Sequence, residues 1–278
     1  MVTIFLSDLD GTLLNSSGKV SDASADMLNK AISSQKLFSV ATARSYDTAA
    51  ELMKSINTNA PAVLLNGALI CDLNFGKIYH YSDISPQTAS MVFNIFNDHG
   101  RTPFCYFLKN KDNAASVTLE YISPATPFDK EFIEECENIG SSIERVDNFD
   151  FERPALYFTA MDTEKIVLPI YKTVKDLPGC DVTLYRDTYH DGYWFLDIFA
   201  AGTSKANGAL MAKKIVCADI MTAFGDNLND IPMLNAADCA VAVSNAADEV
   251  KEICDEIIGS NDDDAVAKYI LNLKPQII

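Results

Sequence analysis

Two carboxylates, Asp8 and Asp10, stand directly after an apolar run at positions 2–7, in the stretch Asp8-Leu9-Asp10-Gly11-Thr12. Carboxylates at the end of a buried strand can attack an electrophile, pass protons or hold a cation. Gly11 allows the sharp turn that exposes backbone amides to an anion. A plain turn closing a strand end is the alternative reading of that pentapeptide. A second acidic group, Gly225-Asp226-Asn227-Leu228-Asn229-Asp230, also follows an apolar run and opens a helical one. Helical spacing predicts one face for Asp226 with Asp230, and for Asp226 with Asn229. Carboxylates crowded at two strand ends repel one another and call for a cation, and an all-oxygen donor set points to Mg²⁺ rather than zinc. Thr42 closes another apolar run and offers a hydroxyl, and Lys205 opens a later helix with a compact positive charge.

The elements around these residues set their common address. Positions 2–7, 37–42 and 62–65 read as strands, with helical spacing at 21–34 and 45–56 between them. Strands alternating with helices predict a parallel sheet, and ligands of such sheets bind beyond the carboxyl ends of the strands. Residues 69–81 read as a hairpin turning at Asn74-Phe75-Gly76. From about Ser82 the pattern changes to five strand-like runs, the fourth at 181–189, with helices at 86–99, 129–138 and 163–176. Their alternation predicts an antiparallel sheet with one face covered. Alternation of strand and helix resumes after Ala200, with helices at 205–215, 229–236, 247–254 and 263–273 and strands at 220–224, 239–243 and 256–258. The acidic run Asp262-Asp263-Asp264 reads as a helix N-terminus favoured by the helix dipole. The expected architecture is a doubly wound α/β core, residues 1–82 and 194–278, interrupted by an α+β insert, residues 83–193.

Composition narrows the function classes. The chain has 278 residues, 22 Lys and Arg against 39 Asp and Glu, and a net charge of −17. Such a surface repels phosphate backbones, and no basic cluster offsets it, so nucleic acid is not an expected partner. No apolar run reaches the ~18 residues of a membrane span. The start lacks a basic segment and Asp8 interrupts its apolar stretch, so it reads as a buried strand rather than a leader. Seven cysteines without a Cys-x-x-Cys pair fit small buried hydrophobes in a reducing cytoplasm, the expected location.

Taken in order, DLDGTLL at 8–14, Thr42, Lys205 and GDNLND at 225–230 resemble the four motifs of the haloacid dehalogenase superfamily. The insert, Asn66-Gly67-Ala68, Asn245-Ala246 and Ser260-Asn261-Asp262 resemble its Cof-type hydrolase branch. The resemblance implies a Rossmann-like core with an inserted cap domain that sets substrate specificity. It implies Asp8 as nucleophile and Asp10 as general acid and base. Mg²⁺ would lie on the Asp8 carboxylate, the Asp10 carbonyl and the Asp226 carboxylate, with Asp230 orienting the metal shell. Thr42, Lys205, the Asn229 side chain and the backbone at Leu9 and Ala43 would hold the phosphoryl oxygens. Three positions depart from the usual pattern: Ala43, Ala206 and Ala265 stand where glycine is common. The expected activity is Mg²⁺-dependent hydrolysis of a small phosphorylated metabolite, such as a sugar phosphate, through an aspartyl-phosphate. A phosphomutase of the same superfamily and a non-catalytic phospho-ligand binding module are the alternatives. Arg44, Arg186 and His190 stand as specificity or supporting candidates, each equally readable as an ordinary surface residue. The cap aromatics Tyr106, Phe107, Tyr157, Tyr185, Tyr189 and Trp194 read as core rather than as a substrate platform.

Overall fold

The computed structural model describes residues 1–109, 115–186 and 192–273. The packing divides into two compact units, residues 1–80 with 204–278 and residues 81–203. His190, Tyr189 and the end of the strand expected at 181–189 lie outside the described residues.

The first unit is built on strands β1 (Thr3–Ser7), β2 (Leu37–Val40), β12 (Ile220–Gly225), β13 (Cys239–Ala242) and β14 (Glu256–Ile257). Their order is β14-β13-β12-β1-β2 and every pairing is parallel. The interior strand β1 is apolar on both faces, with Ile4, Phe5 and Leu6 buried, as a strand covered on two sides must be. Its register pairs Ser7 with Phe224 on one side and with Val40 on the other, so three strands end level with one another. Helices α1 (Asp22–Ser33), α2 (Tyr46–Met53), α6 (Lys205–Ile215), α7 (Ile231–Ala236), α8 (Asp248–Ile253) and α9 (Ala265–Asn272) alternate with the strands. Helix α1 packs on α9 and α6 on α7. This is the doubly wound α/β arrangement read from the alternating pattern. A small sheet of β3 (Ala62–Leu64), β4 (Leu69–Cys71) and β5 (Ile78–Tyr81) contains the expected hairpin, and β3 meets Ala41 through a parallel bridge to Val63.

The second unit is a six-stranded sheet in the order β10-β11-β9-β6-β7-β8. Its strands are β6 (Phe104–Leu108), β7 (Val117–Tyr121), β8 (Ile143–Arg145), β9 (Ala155–Thr163), β10 (Cys180–Arg186) and β11 (Tyr193–Ala200). All pairings are antiparallel except β7 with β8. Helices α3 (Pro86–Asp98) and α5 (Glu164–Val174) bury Phe96, Val167 and Ile170 against Cys105, Phe107, Phe158, Leu196 and Ile198. The sequence pattern predicted one covered face. The structure adds α4 (Pro127–Asn138), whose Phe132 and Cys136 pack on Phe104, Tyr106 and Leu119. Because side chains alternate along a strand, those residues belong to the opposite face, and part of it is therefore covered too.

Two further expectations change. The helix expected at 229–236 begins only at Ile231, after a 3-10 turn at Leu228–Asp230. The acidic run is a 3-10 turn at Asn261–Asp263, followed by Asp264 in the left-handed conformation at φ 55°. Its carboxylates are fixed by local hydroxyls rather than by a dipole alone: Asp264 accepts from Ser21 and Ser24, and Asp262 from Ser16. All seven cysteines are free thiols; Cys71, Cys105, Cys136 and Cys180 are buried, but Cys217 is exposed.

Candidate active site

The shared register of β1 and β12 fixes the site's floor. The Asp8 backbone N–H donates to the Phe224 carbonyl at 2.9 Å, which extends the parallel pairing one residue past the strand ends. Asp226 follows β12, and Gly11 comes so near it that a Cβ there would stand 2.4 Å from Asp226 Oδ2. Gly11 also has φ +80°, so both space and backbone require glycine. Thr12 then donates its hydroxyl to Asp226 Oδ1 at 2.7 Å.

Asp230 closes the group from the far end of the 3-10 turn. Its Oδ2 accepts the N–H groups of Asp226 and Asn227 at 3.1 and 3.2 Å, in a reciprocal cap with Asn227. Gly225 admits this carboxylate, since a Cβ there would stand 2.7 Å from that of Asp230. Lys205 enters from the first turn of α6, which Ser204 caps by accepting from Asn207 N–H. Its Nζ lies 2.8 Å from Asp8 Oδ1 and 2.7 Å from Asp230 Oδ1, with the lysine and aspartate side chains all nearly withdrawn from solvent.

The carboxylates of Asp8, Asp226 and Asp230 present oxygens within 4.8 Å of one another. Burial pushes the Asp8 carboxyl up to about 8, with Asp230 and Asp226 adding to the rise and Lys205 opposing it. Burial likewise raises Asp226 to about 6, against the Thr12 hydrogen bond. Burial works against the Lys205 ammonium, yet Asp8 and Asp230 together hold it above its ordinary value. Among the described residues, Lys205 is the one cation paired within this group of three acids, and it contacts Asp8 and Asp230 but not Asp226. That is a deficit of positive charge, and hard oxygen donors at this spacing suit a metal ion.

The other expected residues fall into two groups. Thr42 is buried, and its Oγ1 accepts the Arg44 N–H at 3.2 Å. Leu9 is fully buried by its side chain, and Ala43 is exposed in the loop after β2. The Asp10 carboxylate is half-exposed and is not a member of the three-carboxylate group; Arg44 grips it, Nε to Oδ2 at 2.8 Å and Nη2 to Oδ1 at 2.7 Å. Asn229 is exposed, and among the described residues its side chain joins none of these hydrogen bonds. Its expected place on one helical face with Asp226 is lost because Asn227 is extended and a 3-10 turn replaces the helix.

Sequence reasoning assigned no role to Thr12 or to Asn245 and Asn261, which tie down the loop carrying Asp10. Asn245 Nδ2 donates to the Gly11 carbonyl at 2.7 Å, and Asn245 Oδ1 accepts from Asn261 N–H at 3.0 Å. Asn261 Nδ2 in turn donates to the Leu14 carbonyl at 2.9 Å. The signal lay in three separated short segments, and only the fold brings them together.

Comparison with known proteins places the chain in a family. The haloacid dehalogenase-like hydrolase family model matches residues 5–270. The 5-amino-6-(5-phospho-D-ribitylamino)uracil phosphatase YcsE of Bacillus subtilis is 28% identical over 95% of this chain and 92% of its own length. The pyridoxal phosphate phosphatase YbhA of Escherichia coli is 23% identical over 95% of each chain. The chloroplastic endoribonuclease YBEY of Arabidopsis thaliana is 28% identical over 95% of this chain, which spans only 45% of that longer protein. Among solved structures, a haloacid dehalogenase-like hydrolase from Bacteroides thetaiotaomicron superposes with a TM-score of 0.79 at 19% identity, covering 97% of this chain and 98% of the other.

Proposed function

The chain belongs to the haloacid dehalogenase-like hydrolase family, and from that premise we propose that it is a Mg²⁺-dependent phosphatase of a small phosphorylated metabolite. One observation carries the reading: Asp8, Asp226 and Asp230 bring carboxylate oxygens within 4.8 Å of one another beyond the ends of adjacent parallel strands, with the buried Lys205 on Asp8 and Asp230. Two relatives that align along nearly their whole length are named as phosphatases of phosphorylated small molecules.

In this reading Asp8 attacks the phosphorus of the ester, forming the aspartyl-phosphate, while the bond to the leaving oxygen breaks. Asp10 gives that oxygen its proton. As carboxylate, Asp10 then takes a proton from the water that attacks phosphorus, and inorganic phosphate leaves with Asp8 restored. Lys205 and the Thr42 hydroxyl hold phosphoryl oxygens, with the Leu9 and Ala43 backbone and Asn229 assigned to the same group. Asp8, the Asp10 carbonyl and Asp226, with Asp230 behind them, would hold Mg²⁺, which would supply positive charge against the repulsion between carboxylate and phosphate. Among the described residues no helix is long and apolar enough to cross a membrane, and the cytoplasm is the proposed location.

Choice of ester is assigned to residues 83–193, the proposed cap, because the core residues address the phosphoryl group that every substrate shares. A screen of phosphorylated metabolites with Mg²⁺ tests the reading. It predicts phosphate release by the parent enzyme, none by Asp8→Asn and none in chelator. Release that survives Asp8→Asn would refute it. Transfer of the phosphoryl group back to a sugar, seen as a bisphosphate, would favour the mutase alternative.

A further inference from the structure

We propose that Arg44 is a positioning residue for the Asp10 carboxylate, holding it at one place and one orientation beside the reacting ester. The inference rests on the functional reading above, which gives Asp10 the proton transfers.

The two partners differ in how firmly they are placed. Asp10 projects from a turn into a half-exposed position, and among the described residues Arg44 is the sole hydrogen-bond partner of its carboxylate. Arg44 is anchored from several directions. Its N–H donates to Thr42 Oγ1 at 3.2 Å, and its carbonyl accepts the Leu65 N–H at 3.1 Å. Leu65 and Asn66 both adopt left-handed backbone, φ 48° and 52°, which is strained for a leucine and persists only where the surroundings enforce it. Those surroundings are visible. Asn66 N–H donates to the Thr42 carbonyl at 3.1 Å. Gly67 abuts the start of α6 so closely that a Cβ would stand 2.2 Å from the Ser204 carbonyl oxygen. The strained turn thus braces the Arg44 loop against the helix end that delivers Lys205.

The grip is a fork: two guanidinium nitrogens on the two oxygens of one carboxylate. A lysine cannot reproduce it, because a single ammonium fixes distance but not the plane of the carboxylate. Proton transfer depends on that plane, since a group misplaced by about an ångström can lose about 100-fold in rate. As a partly exposed ion pair the contact adds little to folding stability.

The test is a double-mutant cycle on the purified full chain with Mg²⁺. Two substrates are needed: an alkyl phosphate, which depends on Asp10 as acid, and a 4-nitrophenyl phosphate, whose leaving group does not. Arg44→Ala should lower kcat on the alkyl ester by about 10- to 100-fold, the range for removing an outer partner of a reacting group, with KM little changed. The loss in kcat/KM, which reports phosphorylation and not the later hydrolysis common to both esters, should be smaller on the aryl ester. Arg44→Lys should recover only part of it, and added guanidinium ion should restore Arg44→Ala. On the aryl ester, where Asp10→Asn keeps a measurable burst of nitrophenolate because that leaving group needs no proton, adding Arg44→Ala should lower the burst rate less than about twofold, because residues acting as one unit are not additive. A raised KM with unchanged kcat, or losses that multiply in the double variant, would make Arg44 a substrate contact and overturn the proposal while leaving the phosphatase reading intact. Native alkyl-ester turnover in Asp10→Asn would instead overturn the role of Asp10 itself.

Discussion

Replacing Lys205 with methionine removes the one cation shared by the buried carboxylates while keeping an apolar stem of similar length. The ammonium lies 2.8 Å from Asp8 and 2.7 Å from Asp230, and the three side chains are 3%, 9% and 0% exposed. Breaking a buried ion pair by removing one partner costs about 3–5 kcal/mol. At about 2–4 °C of unfolding midpoint per kcal/mol for a protein of this class, the fall should be about 6–20 °C. Its pH dependence has a definite sign. Asp8 titrates at about 8 in the folded chain against 3.8 as a free carboxyl, and Asp226 at about 6. A carboxyl raised on folding gives stability that is fully present below its unfolded value and is lost as pH rises through the folded one. Removing the ammonium raises Asp8 further, so the midpoint of Lys205→Met should lie nearest the parent's at low pH, where Asp8 is protonated in both, and fall further below it as pH rises through about 8. A divalent cation should narrow the gap, since it binds the folded carboxylates in place of the lysine. Circular-dichroism melts across that range, in chelator and in Mg²⁺, measure this. A midpoint at pH 8 in chelator within about 1 °C of the parent's would refute the reasoning.

Three other outcomes follow from the same geometry. Gly11→Ala should destabilise the protein by about 1–3 kcal/mol and weaken Mg²⁺ binding in titration calorimetry, since the new methyl drives into Asp226 from a left-handed backbone. Thr12→Val should keep the fold yet lower metal affinity by about 10- to 100-fold, because the hydroxyl that orients Asp226 is gone. Replacing the second unit, residues 81–203, whose sheet includes β11, by the matching unit of a phosphatase with another preferred ester should shift the order of substrates in a phosphate-release assay while turnover still requires Asp8. An unchanged order would count against the insert as the source of specificity.

The parts of the site legible in the sequence were those written as strand ends. Asp8 and Asp226 follow runs that could only be buried strands, and parallel pairing of β1 with β12 then brings them together. Asp230 was legible as a partner of Asp226 because four residues bring the chain back on itself, although the route is a 3-10 turn. The helical face expected to hold Asn229 with Asp226 does not form, because Asn227 is extended and a 3-10 turn rotates each residue further than an α-helix does. The grip of Arg44 on Asp10 had no local signal: it depends on a loop after β2 reaching a turn after β1. The left-handed Asp264 was equally hidden, since an acidic run before a helix fits a dipole argument that says nothing of the serines at 16, 21 and 24. In the second unit the strands announced themselves by alternation. The placement of α4 on the opposite sheet face did not, because an amphipathic helix specifies that one side is buried and not against which surface. The β8 strand is only three residues long, too short to carry a period.

The central claim is a covalent phosphoryl group on Asp8, and acid quenching tests it most directly. The enzyme with Mg²⁺ is mixed with a ³²P-labelled substrate, quenched in acid during turnover, digested and mapped. The account predicts an acid-stable, hydroxylamine-labile label on the peptide bearing Asp8, absent from Asp8→Asn. Steady phosphate release with no label on that peptide, or a label on another residue, would contradict it.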